Sequence, residues 1–235
     1  MRHSRHGFTL IEIMIVVGII ILLAAVLLVS FSGVFSKSKQ AQTKTTIETL
    51  KANVESYQAK WGVPPPSNLA ELGILAGYPA LADPNKENIG IEALVLALRS
   101  KREQGPYLDP GLLQDEKRRT NLDIDTVLEE AVAPENLDLE EGSARDLFEI
   151  ADAWGNPLVY VDMKTVRAGN FAYDITMADG SRTRIDATAC QDALRHPVTG
   201  QYPTGYVIWS FGEDGINDYG RGDDITSWPK YEVEE

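Results

Sequence analysis

The chain has 235 residues, of which 43% are apolar and 24% are charged, and its formal net charge is −13. These fractions are those of a folded globular protein and argue against wholesale disorder. The acidic excess disfavours direct nucleic-acid binding, because an acidic surface repels the phosphate backbone. The single cysteine, Cys190, excludes a disulfide within the chain.

The chain begins with a short basic head that leads directly into a long apolar stretch. Arg2 and Arg5 precede residues 8–29, where Thr9 and Glu12 are the only polar side chains. As a helix this stretch would be roughly 33 Å long, about the thickness of the hydrocarbon core of a bilayer. The flanking positive charges predict a cytoplasmic N-terminus. A cleaved secretory signal and a plain signal anchor are the alternatives, and neither explains an acid inside the stretch.

The residues around this acid resemble a processing motif. Gly7-Phe8-Thr9-Leu10-Ile11-Glu12 is similar to the cleavage and methylation motif of type IV pilins and type II secretion pseudopilins. The resemblance implies that the prepilin peptidase cuts between Gly7 and Phe8, that Phe8 is then N-methylated, and that the apolar stretch is retained. It also implies that Glu12 pairs with the new N-terminal amine of a neighbouring subunit. Such pairing makes a buried carboxylate tolerable.

The helical pattern continues beyond the apolar stretch. Apolar residues recur at spacings of three and four, at Ile47, Leu50, Val54, Tyr57 and Trp61. This pattern predicts one helix over residues 8–61 whose second half buries a stripe. A coiled-coil seam is the alternative, but the repeat is short and packing on a domain core is favoured. Gly62 and the prolines at 64–66 predict the end of the helix.

The rest of the chain predicts short helices followed by strands. Helices are expected after the cap Ser67-Asn68 and over residues 89–100, and residues 112–142 are charged and helical in pattern, which indicates a solvated face. Strands are expected at 158–161, 171–177, 182–186 and 205–211, with a hairpin turn at Asp179-Gly180. The predicted fold class is α+β, with a long N-terminal helix, transmembrane in its first half, packed on a C-terminal antiparallel sheet.

An acidic, glycine-rich loop lies near the C-terminus, at residues 211–228. Its oxygen-bearing side chains are Glu213, Asp214, Asn217, Asp218, Asp223 and Asp224, interleaved with four glycines. Oxygen ligands on a flexible backbone suit Ca²⁺, and a divalent cation would relieve the repulsion between close carboxylates. A solvated acidic turn is the alternative.

Three stretches resemble the major pseudopilin of type II secretion. Asp-Gly at 214–215, followed by Asp-Asp-Ile at 223–225 and Trp228, is similar to its C-terminal calcium loop. Residues 89–95 are similar to its segment after the long helix, and residues 152–157 to the turn before its sheet. The resemblance implies Ca²⁺ ligation by the side chains of Asp214, Asp223 and Asp224 and the carbonyl of Phe211, with Asn217 and Asp218 as further candidates. Residues 112–151 and 163–204 look like insertions.

These features divide the chain into five segments. They are a leader at 1–7, the membrane and filament-core half of the long helix at 8–30, its soluble half at 31–62, a helical and loop region at 63–151, and the sheet with the acidic loop at 152–235. The resemblance implies a structural subunit of a type II secretion pseudopilus, without enzymatic activity, that polymerises into a helical filament to drive protein export. It would be a single-pass inner-membrane protein with a periplasmic domain before it is extracted into the filament. Its implied partners are further copies of the chain, the prepilin peptidase, other pseudopilins and the inner-membrane assembly platform.

Three other functions compete with this hypothesis. A minor or major type IV pilin is the nearest, although the lone Cys190 argues against a pilin closed by a disulfide. A membrane-anchored periplasmic ligand-binding module would need a pocket in the inserted stretches. A hydrolase would need Cys190 or His196, which are better explained as a buried thiol and a turn histidine. A sugar platform made by Trp154, Trp209 and Trp228 is likewise less well supported than core packing of these rings.

Overall fold

The structure, a computed structural model, describes residues 9–76, 85–126 and 146–230, without the side chains of residues 26–32 and of Arg102. The chain divides into two compact units, Met1–Lys39 and Gln40–Glu235. The described part of the first unit consists of the first part of helix α1 (Leu10–Trp61). The second unit begins within the same helix and contains every other element.

The predicted membrane segment is only partly covered by this description. Residue 8 and the side chains of residues 26–30 lie outside it. Among the described residues, no helix is both long enough and apolar enough to cross a membrane.

In the second unit, α1 buries the predicted apolar stripe. Ile47, Leu50, Val54 and Tyr57 are each exposed by 1% or less, and Trp61 stacks on Tyr57 with ring centroids 5.3 Å apart. They pack into a core shared with helix α3 (Ile89–Arg99) and with strands β2 (Glu149–Ile150), β3 (Val159–Asp162) and β6 (Tyr206–Ser210). Each such buried side chain contributes about 1.5–3 kcal/mol. The interpretation of the stripe as core packing is confirmed.

Shorter helices follow α1, as the sequence predicts. They are α2 (Leu69–Ala76), α3 (Ile89–Arg99) and α4 (Pro110–Gln114), with a 3-10 turn at Arg102–Gln104. The side chain of Asn68 caps α2 by accepting a hydrogen bond from the backbone N–H of Glu71 at 2.7 Å. Helix α3 lies directly on strand β3 (Val159–Asp162). A Cβ at Gly90 would lie 2.0 Å from the carbonyl oxygen of Tyr160, so only glycine fits at this crossing.

The strands of the described residues form three small antiparallel sheets. Strand β1 (Arg119–Thr120) pairs with β2 (Glu149–Ile150), β3 with β6 (Tyr206–Ser210) and then β7 (Ile225–Thr226), and β4 (Ala172–Thr176) with β5 (Arg182–Asp186). In register, Tyr160 lies opposite Ile208, and Asp174 lies opposite Arg184. The predicted α+β class, the hairpin at Asp179-Gly180 and the strand at 205–211 are confirmed, but the latter is not the last strand, because β7, which the sequence analysis did not identify, follows it.

The prediction of a helix over residues 112–142 is wrong where the structure describes it. Helix α4 ends at Gln114, where the Asp115 side chain accepts a hydrogen bond from the N–H of Lys117 and turns the chain. Residues 119–120 then form β1, and the guanidinium of Arg119 lies 4.9 Å from the ring centroid of Phe148. Tertiary pairing has therefore overridden the helical pattern of charges. Residues 127–145 lie outside the described part.

Two helices that the sequence analysis did not identify lie within the stretch 163–204. They are α5 (Met163–Ala168) and α6 (Ala187–Leu194). Each is capped by an aspartate that ends a strand: Asp162 accepts from the N–H of Thr165, and Asp186 from that of Ala189. An aspartate directly before a possible helix is the signal that could have revealed both.

Candidate assembly segment and acidic loop

The described first part of α1 presents apolar side chains at its surface. Leucine, isoleucine, valine and methionine side chains between residues 10 and 23 are exposed by 47–78%. A contiguous apolar surface of this kind marks a region that lipid or protein covers. The segment is therefore suited to a membrane or to the interior of an assembly.

Glu12 lies at the start of this segment and takes part in capping the helix. Its Oε2 accepts hydrogen bonds from the N–H of Thr9 at 2.8 Å and from its hydroxyl at 2.9 Å. The hydroxyl in turn accepts from the N–H of Glu12 at 3.3 Å. This is a capping box, which the Thr-x-x-Glu spacing signals and which the sequence analysis missed. Gly7 and Phe8 lie outside the described residues, so cleavage, methylation and pairing of Glu12 with an amine stay predictions.

In the acidic loop, two adjacent aspartates bind the backbone. The Oδ2 of Asp223 accepts hydrogen bonds from the N–H groups of Glu213 at 2.5 Å and Asp214 at 3.2 Å. The Oδ2 of Asp224 accepts from the N–H of Gly220 at 2.7 Å. The bonds of Asp223 hold together the two ends of the loop, which joins β6 to β7, and the bond of Asp224 closes a turn within its second half.

The remaining predicted ligands also lie in this loop. The side chain of Asp214 accepts from the N–H of Ile216, and that of Asn217 accepts from the indole N–H of Trp209 at 3.0 Å. Asp218 is exposed, and the ring of Phe211 is fully buried. The structure thus brings all six residues onto one loop.

Asp224 differs from the other acids of the loop because it is buried. It is 1% exposed, and its Oδ1 has no hydrogen-bond partner among the described residues. Burial raises its pKa to about 7, and the nearby carboxylates of Asp218 and Asp223 add to the shift. An unsatisfied buried carboxylate oxygen is costly, and a hard cation would satisfy it. The donor set therefore fits Ca²⁺ chemically.

A second group of acids, which the sequence analysis did not identify, lies between α3 and the segment before β2. One carboxylate oxygen from each of Glu92, Asp123 and Asp125 lies within 4.8 Å of the others. Within the described part of the chain, this is the one group of three such side chains at that spacing. Asp125 is 7% exposed, so the expectation of a solvated face is wrong for it. No local pattern signals this group, because the tertiary fold assembles it.

Glu149 lies beside this group. It is fully buried and accepts hydrogen bonds from the side-chain amide of Asn88 at 2.8 Å and the N–H of Leu122 at 3.2 Å. Burial, with a contribution from the charge of Asp123, raises the pKa of Glu149 to about 7. The carboxylate of Glu149 therefore binds a proton more tightly than an exposed carboxylate does.

The residues that a hydrolase or a sugar platform would need occupy ordinary structural positions. Cys190 is fully buried in α6, and burial raises its pKa to about 12. The ring of His196 accepts a hydrogen bond from the N–H of Val198 at 3.1 Å, in a turn. Trp209 is 1% exposed and contacts Trp228 edge to face at 6.0 Å. These contacts agree with the interpretation as core and turn residues.

Comparison with known proteins bears on the N-terminal segment. Residues 2–28 match the model of the prokaryotic N-terminal methylation motif. The type IV major pilin protein PilA of Myxococcus xanthus (strain DK1622) is 45% identical over 62 residues, which cover 24% of this chain and 28% of that pilin. The chain thus spans just over a quarter of the relative that it matches, and no solved structure matches it. Through this motif and this similarity, part of the chain is similar to the type IV pilins and pseudopilins.

Proposed function

We propose that the chain is a structural subunit that the prepilin peptidase processes and that polymerises through its N-terminal helix into a helical filament. The observation that carries this proposal is the exposed apolar surface of residues 10–23, which lie within the stretch that matches the methylation motif. Before assembly this surface would lie in the inner membrane, with the following domain in the periplasm. In the filament, the helices of neighbouring subunits would replace the lipid.

The two oxygens of Glu12 suit two different tasks. Oε2 accepts both hydrogen bonds from Thr9. Oε1 accepts none of the hydrogen bonds made by the described residues, so it is open to a donor from outside. We assign that donor to the methylated amine of Phe8 on a neighbouring subunit. Pairing the two charges offsets the cost of burying each of them in an apolar filament core.

Within this family we favour a subunit of a type II secretion pseudopilus. The turn at residues 152–157 resembles that of the major pseudopilin and is hydrogen-bonded to strand β6. Asp152 accepts from the N–H groups of Trp154 and Asn156 through Oδ1 and from the hydroxyl of Ser210 through Oδ2. A type IV pilin is the second candidate, which the similarity to the Myxococcus pilin favours. That similarity covers 24% of this chain and does not separate the two classes.

We also propose that the acidic loop binds Ca²⁺ through Asp214, Asp223 and Asp224 and the carbonyl of Phe211, with Asn217 and Asp218 as further ligands. The buried Oδ1 of Asp224 supports this proposal, because it has no hydrogen-bond partner among the described residues. Bound calcium would supply the charge that this oxygen lacks and would hold the loop against β6 and β7.

The filament proposal is tested by maturation in cells that contain the prepilin peptidase. The full chain should lose residues 1–7 and gain one methyl group on Phe8, measured by intact mass, and should then appear in sheared filaments. Gly7→Ala should retain the leader and be absent from the filaments. Gly33→Ala is the matched control, since a Cβ at Gly33 has no atom within 4 Å. A wild-type chain that keeps residues 1–7 within filaments would overturn the proposal.

A further inference from the structure

A large open cleft lies on the second unit, between the end of α6 and the acidic loop. Its volume is about 970 Å³, which is at the upper end of the range for ligand sites. One wall is formed by residues 192–200 and the other by residues 219–222 together with Trp228 and Lys230. The first wall belongs to the stretch 163–204, where the sequence analysis expected a pocket if the chain binds a ligand.

Positive charge is concentrated in this cleft, although the chain as a whole is strongly acidic. Arg195 and Arg221 are exposed, and their side chains make no hydrogen bond or ion pair with any residue that the structure describes. Lys230 donates to the carbonyl oxygen of Gly222 at 2.8 Å. Asp192 is the one acid of the lining. The cleft therefore has an excess of cations that internal pairing does not use.

Other arginines of the same unit form ion pairs with acidic side chains of the chain itself. Arg182 contacts Glu87 at 2.6 Å, and Arg184 contacts Asp174 at 3.3 Å. In a chain with a net charge of −13, acidic partners are abundant. Two arginines that remain unpaired in one concave surface are therefore placed to receive an anion from outside. A guanidinium binds a carboxylate through two parallel hydrogen bonds.

Two aromatic rings complete the cleft and are fixed by their neighbours. The ring of Trp228 contacts Trp209 edge to face, and a Cβ at Gly220 would lie 2.4 Å from it. The ring of Tyr219 lies 6.4 Å from that of Trp209, and its hydroxyl donates to the carbonyl oxygen of Arg184 at 3.4 Å. Rigid aromatic side chains beside a few charged groups are typical of pockets that orient a ring-shaped polar ligand.

We propose that this cleft binds an acidic saccharide, with its carboxylate groups on Arg195 and Arg221 and its sugar rings against Trp228 and Tyr219. The size of the cleft favours a short oligosaccharide over a single small anion. The inference does not depend on the chain's role in a filament, because the whole cleft lies within one unit.

The test is calorimetric titration of the full chain, held in a polyoxyethylene detergent that carries no sugar, with trigalacturonic acid. The double variant Arg195→Glu with Arg221→Glu should weaken binding by about a hundredfold, since each lost charged hydrogen-bond pair removes roughly a factor of ten or more. Replacing both by lysine should give an intermediate loss. Raising the ionic strength should also weaken binding by the wild type.

Arg167→Glu is the matched control, because Arg167 is exposed on α5 and does not line this cleft. It should bind as the wild type does, and circular dichroism should show that all variants are folded. A neutral galactose trimer should not bind. The inference is overturned if the acidic trimer does not bind, if the double variant binds it as well as the control does, or if inorganic phosphate binds as tightly as the trimer.

Discussion

Glu12 and Asp224 belong to different units of the chain, yet each uses one carboxylate oxygen internally and leaves the other without a partner among the described residues. Glu12 accepts from Thr9 through Oε2, and Asp224 accepts from Gly220 through Oδ2. The difference is their surroundings. Glu12 belongs to an exposed segment, whereas Asp224 is 1% exposed.

This difference decides when the cost of an unpaired charge arises. Because water solvates an exposed carboxylate, the charge of Glu12 costs little in the single chain. In the proposed filament, assembly would bury this charge and would then favour a neighbour that supplies a cation. Asp224 is desolvated by its own fold, so its cost lowers the stability of the folded chain itself until a cation binds. Under the two proposals, the same side-chain chemistry would serve partner selection at Glu12 and ligand-dependent stability at Asp224.

The largest effect on assembly should come from Glu12→Gln. Glutamine keeps an oxygen that accepts from Thr9 but removes the charge, so the cap should persist while pairing with the amine is lost. We expect normal processing and a drop in filament yield of at least about tenfold, corresponding to roughly 1.4 kcal/mol or more per subunit contact. Sheared filaments are quantified against total processed protein.

Glu55→Gln is the control for this variant, since Glu55 is an exposed acid further along α1. It should assemble normally. Wild-type filament yield from Glu12→Gln would mean that Glu12 serves only as a cap, and the contrast with Asp224 would then disappear.

The next effect concerns calcium. At a concentration one hundred times its dissociation constant, Ca²⁺ should stabilise the wild-type chain by about 2.7 kcal/mol and raise its melting temperature by several degrees. Asp224→Asn should abolish this response. It should also melt higher than the wild type without calcium, because the buried charge is gone while the hydrogen bond from Gly220 can persist.

Differential scanning calorimetry of the full chain, with calcium and with a chelator, measures both shifts. Asp179→Asn is the control, because Asp179 lies in an exposed hairpin turn. If calcium did not change the melting temperature of the wild type, the proposed metal site would be refuted. An Asp224→Asn variant that still responds would exclude Asp224 as an essential ligand.

Glu149 tests whether a buried acid without an open oxygen behaves differently. Its pKa is raised in the folded chain to about 7 from an ordinary value of 4.5, so the folded state binds the proton more tightly than the unfolded state does. Its stabilising contribution is complete below pH 4.5 and is lost as the pH rises through 7. The free energy of unfolding should fall by on the order of 2 kcal/mol across this window.

Glu149→Gln should flatten this fall, as measured by urea unfolding at several pH values, and Glu116→Gln, at an exposed position, should not. Other buried acids contribute to the total slope, so the difference between the two variants is the quantity that matters. Equal slopes in the two variants would show that Glu149 titrates as an exposed carboxylate does.

The sequence predicted those parts of the molecule whose signals are local. The stripe of α1 follows from its spacing, and the β4–β5 hairpin follows from the turn at Asp179-Gly180. The cap formed by Thr9 and Glu12 is equally local, because the Thr-x-x-Glu spacing signals it. The sequence analysis did not identify it, because it interpreted Glu12 through the family resemblance alone. Helices α5 and α6 were missed because each is short and continues directly from a strand.

Sites assembled by the tertiary fold could not be predicted in this way. Glu92 and Asp125 are 33 positions apart in the sequence, and the tertiary fold, which also pairs β1 with β2, brings α3 to the later segment. The cleft beside Arg195 likewise needs α6, which the sequence analysis had not identified. The acidic loop was found because its ligands are close in sequence, but the burial of Asp224 alone among its acids depends on the packing around β7.

The smallest effect should come from Thr9→Ala, which separates the capping role of Glu12 from its pairing role. The change removes the hydroxyl that bonds to Oε2 and to the N–H of Glu12, and loss of such a cap costs about 1 kcal/mol at the start of a helix. We expect faster hydrogen exchange over residues 10–13, measured by mass spectrometry on the processed chain, with filament yield reduced by less than about twofold. Because the carboxylate of Glu12 is kept, its pairing with the amine should survive. If Thr9→Ala abolished filaments as completely as Glu12→Gln, the cap and the pairing would be one inseparable function, and the second oxygen of Glu12 would have no role of its own.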